Sequence, residues 1–189
     1  MTFIDWSLLG SAVSFYENKG YKNVDVPWMA NNTAISETVD ESKIIKLTNH
    51  IGLIGSAEQS FLDLTINSGL PKNKYVSCTP CFREEDSYTE IHKPHFMKVE
   101  LFDSSALINN DLTTMIADAI SFMSKYIPDI ELRKTAIGYD IMYKELELGS
   151  YGIRKYIDPD NEVNNFSWIY GTGLAEPRFS IALQQYKNS

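Results

Sequence analysis

The chain has 189 residues, 43% of them hydrophobic and 12% aromatic, enough for one domain spanning 1–189 with a sizeable core. Its 17 basic and 25 acidic residues leave a formal charge of −8, which repels a phosphate backbone over most of the surface and disfavours general nucleic-acid binding. The two cysteines make no disulfide framework, no signal peptide is legible, and no apolar run nears the ~18 residues of a spanning helix, so a cytoplasmic protein with no membrane partner is expected.

Residues 5–19 (DWSLLGSAVSFYENK) carry apolar side chains at helical spacing, with Asp5 or Ser7 as cap and Gly20 as stop. YKNVDVPWM then alternates through Val24 and Val26 and ends at Pro27, a strand closed by proline. Residues 31–50 are polar and show no clear period. HIGLIGSAEQSFLDLTINSGL predicts a short strand and then a helix from about Ala57 to Asn67. Residues 74–83 and 95–103 read as hairpin legs around a long charged loop. NNDLTTMIADAISFMSKYI (109–127) is the clearest amphipathic helix, capped by Asn110 or Asp111. Strands are expected over about 135–149 and 150–157, and a helix from about Ala175 to Tyr186. Strands with non-adjacent helices predict an α+β fold with a mainly antiparallel sheet.

One stretch, CFREEDSYTEIHKPHFMKVELF, concentrates the chemistry. Arg83 stands where a short apolar run meets an acidic loop, and Phe96, Lys98 and Glu100 follow at every second position. Period-two spacing puts those three on one strand face, aromatic and charged at once, as a binding site requires. Cys78 and Cys81 with His92 and His95 spell C-x2-C-x10-H-x2-H, but the histidine spacing is too short for a zinc finger and a finger helix is missing. Two cysteines on a half-buried strand is the better reading. GTG at 171–173 resembles a phosphate loop without the residues that complete one, and alone reads as a tight turn beside a strand. Singly, Glu147 reads as a solvated strand residue, Phe96 as a core aromatic and Arg178 as a helix-start charge.

Their order is more specific. FYENKGYKNVDVPWM, GSAEQSFLDL, CFREED…HFMKVELF, ELELGSYGIRKY and YGTGLAEPRFSIALQQY together resemble the catalytic core of the class II aminoacyl-tRNA synthetases. Motif 1 would lie at about 11–29 and end at Pro27, motif 2 at about 78–102, and motif 3 at about 170–186. The seryl-tRNA synthetases are most similar, through CTPCFRxE, the returning HxFxKVE pattern and GxGLA…R, while ELGSxxxR is similar to aspartyl- and lysyl-type enzymes. The resemblance implies a mainly antiparallel six-stranded sheet flanked by helices, a homodimer through motif 1, and activation of a small amino acid with ATP and Mg²⁺.

It also implies roles. Arg83 would hold the α-phosphate and the substrate carboxylate, and Arg178 the γ-phosphate. Glu85 would accept from the adenine amino group, and Phe96 would stack on the ring with Arg178 near its other face. Glu147 and Ser150 match the family's E-x-x-S position for Mg²⁺. Ser56, Glu58, Lys98 and Glu100 would form the amino-acid pocket, the two glutamates facing a substrate ammonium. Zinc-dependent relatives place cysteines around the amino-acid pocket, and Ser56 and Ser150 lie in those neighbourhoods, so no zinc is expected.

The departures are as informative. The seryl enzymes' N-terminal arm and an anticodon-binding domain after motif 3 are not expected in this chain. The loop DSYTEIHKP is acidic where an acceptor stem would approach, and Lys93 or His92 replaces a loop arginine. These features count against ordinary tRNA charging. They favour transfer to another acceptor: a carrier protein, a small molecule or a modified nucleotide. A non-catalytic paralogue that senses ligand, or a tRNA enzyme helped by a separate tRNA-binding partner, are the alternatives.

Overall fold

A computed structural model of the protein describes residues 4–84, 87–105, 110–158, 162 and 165–189. The first half runs α1 (Trp6–Asn18), β1 (Lys22–Asn23), β2 (Met29–Asn31), α2 (Asn32–Ser36), β3 (Ile51–Leu53), α3 (Ala57–Ser68) and β4 (Lys74–Phe82). The second runs β5 (His95–Asp103), α4 (Asn110–Met123), β6 (Glu131–Lys134), β7 (Gly138–Tyr143), β8 (Leu146–Tyr156), β9 (Phe166–Glu176) and α5 (Arg178–Lys187).

Local chemistry explains most of these limits. Asp5 accepts from the Leu8 amide at 2.9 Å and starts α1, while Gly20, at φ +89°, lets the chain reverse after it. Ser56 caps α3, and Gly69 ends it in the left-handed region. The strand expected across YKNVDVPWM is split. Its start adds parallel to β4, whereas beyond Pro27 the chain pairs β2 with β3, because proline has no amide for a ladder. The boundary expected near 149–150 lies instead at Lys144 and Glu145, where Lys144 takes φ +54° between paired Tyr143 and Leu146. Gly171 and Gly173 lie inside β9 rather than in a turn, and α5 therefore begins at Arg178.

The main sheet has seven strands, one more than expected, in the order β1-β4-β5-β9-β8-β7-β6, and only β1 and β4 are parallel. The fold is α+β and mainly antiparallel, as the sequence predicts. One face packs under α1, α4 and α5 around Tyr16, Phe122, Tyr151, Leu174 and Phe179. On the other face α3 covers β4 and β5, where Phe61 stacks on Phe102 at 5.1 Å and Phe102 on Trp168 at 6.2 Å. Beyond α3 this second face stays open, and the candidate site lies there.

Two irregularities set which residues reach that opening. In the β7–β8 ladder Ile141 faces Gly149 but Met142 faces Glu147, so Leu148 is an extra residue. In the β5–β9 ladder Val99 faces Leu174 but Glu100 faces Thr172, so Gly173 is extra. Each bulge advances the alternation by one. Residues three apart, Glu147 with Ser150 and Thr172 with Ala175, thereby line the same cavity.

The second bulge needs glycine. A Cβ at Gly173 would stand 2.7 Å from the Tyr16 ring and 3.0 Å from the Val99 side chain, both in the core. The Tyr16 hydroxyl also donates to the Gly173 carbonyl at 2.9 Å. Gly173→Val is expected to cost about 1–3 kcal/mol of overpacking, read as a lowered urea midpoint.

Candidate active site

The open face holds a cavity of about 430 Å³ lined by β5, β8 and β9, the start of α3, the residue after β4 and the start of α5. Arg83 leaves β4 with its amide donating to the Pro94 carbonyl at 3.1 Å. Its guanidinium donates to the Gly55 carbonyl at 3.3 Å and lies 5.3 Å from the Phe96 ring centroid. Gln59 accepts from the Gly55 amide at 2.7 Å and so braces the segment that holds Arg83. The Arg83 Nε is buried without a partner. The Arg83 side chain lines the cavity, and a guanidinium there suits an anionic ligand.

Arg178, the first residue of α5, donates to the Glu147 carboxylate at 3.2 Å and to its carbonyl at 3.3 Å. Ser150 lies on the same wall as Glu147 because of the Leu148 bulge. Carboxylate and hydroxyl oxygens are the donor set a hard divalent cation prefers, so these two residues fit Mg²⁺.

The most buried wall is a double ion pair. The Lys98 ammonium lies 2.8 Å from the fully buried Glu100, which also accepts from the Ser56 hydroxyl. Burial raises the Glu100 carboxyl above its ordinary value, Lys98 opposing and Glu58 reinforcing the shift. Glu58 accepts from the Trp168 indole N–H at 2.7 Å and from Arg154, whose guanidinium also lies 4.1 Å from the Tyr170 ring centroid. Burial would lower the Arg154 pKa, but the Glu58 carboxylate outweighs it and the net shift is upward.

The structure thus brings Ser56, Glu58, Arg83, Phe96, Lys98, Glu147, Ser150 and Arg178 to one cavity, with Glu100 directly behind. Glu85 lies outside the described residues. The ring partner of Phe96 among the arginines is Arg83. Arg154, Tyr170, Thr172 and Glu176 line the cavity without having been singled out by sequence. Arg154 was findable: it stands four residues after Ser150, on the same side of a strand. Cys78 and Cys81, three apart on β4, face opposite sides: Cys78 packs on the core beneath α1 and α4, while Cys81 contacts Thr79 on the other face. Burial pushes the Cys81 thiol up to about 12. Among the described residues no three His, Cys, Asp or Glu side chains form a metal cluster, and no helix is long and apolar enough to cross a membrane.

Glu176 is fully buried beside the cavity, one carboxylate oxygen accepting from Ser180 at 2.8 Å and the other without a partner. Burial pushes it up to about 7 from its ordinary 4.5, Ser180 opposing and Asp5 reinforcing. The folded pKa exceeds the unfolded one, so this contribution to stability is present in acid and is lost as pH rises through about 7. The urea midpoint should fall between about pH 5 and pH 8, and Glu176→Gln should flatten that fall.

The family model of the class II tRNA synthetases (D, K and N) matches residues 5–171. A sequence search of curated proteins found no match. Among solved structures, the pyrrolysyl tRNA synthetase of Desulfitobacterium hafniense superposes with a TM-score of 0.73 at 16% identity, over 95% of this chain and 68% of that one. The seryl-tRNA synthetase of Pyrococcus horikoshii complexed with ATP gives 0.73 at 18% identity, over 98% of this chain and 55% of that one. The cytoplasmic serine-tRNA ligase of Naegleria fowleri in complex with AMP gives 0.66 at 16%, over 94% and 47%. At these identities the superpositions establish a shared fold, while the family model spans most of the sequence; the chain belongs to the class II tRNA synthetases (D, K and N), with a class II synthetase-like catalytic domain.

Proposed function

We propose that the protein uses ATP to activate a small amino acid, or a similar carboxylate, as its adenylate and passes it to an acceptor other than ordinary tRNA. The observation that carries this reading is the convergence of Arg83, with its buried unpartnered Nε, Phe96 and the Arg178–Glu147 pair on one cavity. In adenylation a carboxylate oxygen attacks the α-phosphorus, the bond to the β-phosphate breaks, and pyrophosphate leaves. Negative charge builds on the phosphate oxygens, and fixed guanidinium groups stabilise it without reorganising.

In this reading Arg83 binds the α-phosphate and the incoming carboxylate, and Arg178 binds the γ-phosphate. Phe96 stacks on adenine, and Glu85 accepts from its amino group. Glu147 and Ser150 would hold Mg²⁺, which neutralises phosphate charge when bound. Ser56, Glu58, Lys98 and Glu100 form the wall against which the acyl substrate lies. Trp28, Met29 and Ile51, all at least 41% exposed around the small β2–β3 sheet, supply apolar surface for a homodimer through motif 1. The acidic loop with its exposed Tyr88 and Glu90 favours a carrier protein, small molecule or modified nucleotide over an acceptor stem.

ATP–pyrophosphate exchange measured across amino acids and simple carboxylic acids tests the reading. Exchange with one of them is the expected result. ATP binding without any exchange would replace it with a ligand-sensing paralogue, and a band shift with total tRNA would return tRNA to the list of acceptors.

A further inference from the structure

Strand β6 ends the main sheet at the side opposite β1, with no strand paired beyond it among the described residues. All four of its residues, Glu131, Leu132, Arg133 and Lys134, are exposed. Proteins usually blunt such an edge with proline, a bulge or lysines. β6 has no proline, its ladder to β7 runs without a register shift, and it carries opposite charges on either side of Leu132. Leu132 itself is 46% exposed.

The backbone of this edge has a definite polarity. The Thr135 amide donates to the Gly138 carbonyl at 2.9 Å across the β6–β7 turn, so Thr135, Arg133 and Glu131 aim their backbone groups at β7. Leu132 and Lys134 therefore aim theirs outward, where an antiparallel strand would meet them. A second copy of β6 related by a two-fold axis can dock in a few registers, set by the residue on the axis. Glu131, Arg133 or Lys134 on the axis would face its own like charge in the partner. Leu132 on the axis faces Leu132, through backbone groups that already point outward. That register also sets Glu131 opposite the partner's Arg133, twice by symmetry, and unlike charges directly opposite each other stabilise an antiparallel pair. Lys134 then lies opposite the partner's Ile130, which its aliphatic stem can cover.

We infer that the free edge of β6 is an interface with a second copy of this chain, the two β6 strands pairing antiparallel about Leu132 and joining two seven-stranded sheets into one. The inference is independent of adenylation. Since β1, within motif 1, lies at the other end of the sheet, a motif 1 dimer would leave this edge free, and the two interfaces together would link dimers into larger assemblies.

Sedimentation velocity of the full chain over a range of concentrations, with charge reversals, tests this. Glu131→Arg alone and Arg133→Glu alone each place like charges opposite one another, and each should weaken self-association by about tenfold. The double variant restores both pairs in the same register and should recover the native association. The Arg133 contact with Glu145 at 3.8 Å does not confound this, because that carboxylate is 93% exposed and its loss would not be rescued by Glu131→Arg. Leu132→Cys gives a second readout. Its two copies would stand about 5.5 Å apart between Cα atoms, within disulfide range, whereas those of Thr135→Cys would stand about 20 Å apart. A mild oxidant should therefore cross-link Leu132→Cys into a covalent dimer and leave Thr135→Cys and the native chain, with Cys78 and Cys81, uncross-linked. Circular dichroism checks that each variant folds. A native chain that stays monomeric, association unchanged in both single reversals, no recovery in the double variant, or Leu132→Cys cross-linking no faster than Thr135→Cys would each overturn the inference.

Discussion

Arg83→Ala is expected to lower ATP–pyrophosphate exchange by about 10²–10³-fold, the usual effect of deleting one preorganised donor from a developing oxyanion. Arg83 is anchored through its backbone to Pro94 and through its side chain to Gly55, so little reorganisation is needed when charge develops near it. Its Nε is already desolvated without a partner, while the guanidinium as a whole lines the cavity and offers charge-assisted donors to an arriving phosphate or carboxylate. Arg83→Lys keeps the charge but loses the planar fork and the stacking on Phe96, and should restore only a small part of the rate. Exchange at the native rate in the alanine variant would remove Arg83 from the site.

Glu58→Ala is expected to destabilise the fold by about 3–5 kcal/mol, among the largest single-site effects available in this chain. Two groups lose their partner at once in this variant. The Arg154 guanidinium is left in a half-buried position beside the Tyr170 ring. The Trp168 indole N–H, inside the aromatic stack with Phe102 and Phe166, is left without an acceptor. Helix α3, which shares a hydrophobic cluster with Trp168 through Ala57 and Phe61, also loses the cross-link that ties it to β8 and β9. Glu58→Gln keeps one acceptor for the indole and should recover part of the loss. A thermal midpoint unchanged in the alanine variant would mean that the pair contributes nothing to the fold.

Much of this was readable from the chain itself. Alternation of Phe96, Lys98 and Glu100 predicts a shared strand face, and that face lines or backs the cavity. The helix caps at Asp5 and Ser56 act as side-chain chemistry requires, because capping depends on neighbours within three residues. Arg83 and Arg178, 95 positions apart in sequence, were linked only by motif order, yet both reach one cavity. The split of the first strand was half legible: Pro27 marks the break, but not that the chain beyond it would form a separate ladder with residues 51–53.

The features that periodicity misses are the ones that depend on distant partners. A bulge is a mismatch between two strands, so neither Leu148 nor Gly173 announces itself in its own strand. The charge state of the pocket is a second case. Sequence supplied the residue types, two acids and a lysine in the right order, and by resemblance the acids suit an ammonium. Only the folded chain places Arg154 against Glu58 and turns Lys98 back onto Glu100. Residue types and short-range spacing decided the fold class and the helix caps, and motif order linked the residues that share the cavity. Which charges face the cavity was decided by pairing across 96 residues of sequence for Arg154 and Glu58, because an electrostatic field depends on distance in space and not on order along the chain.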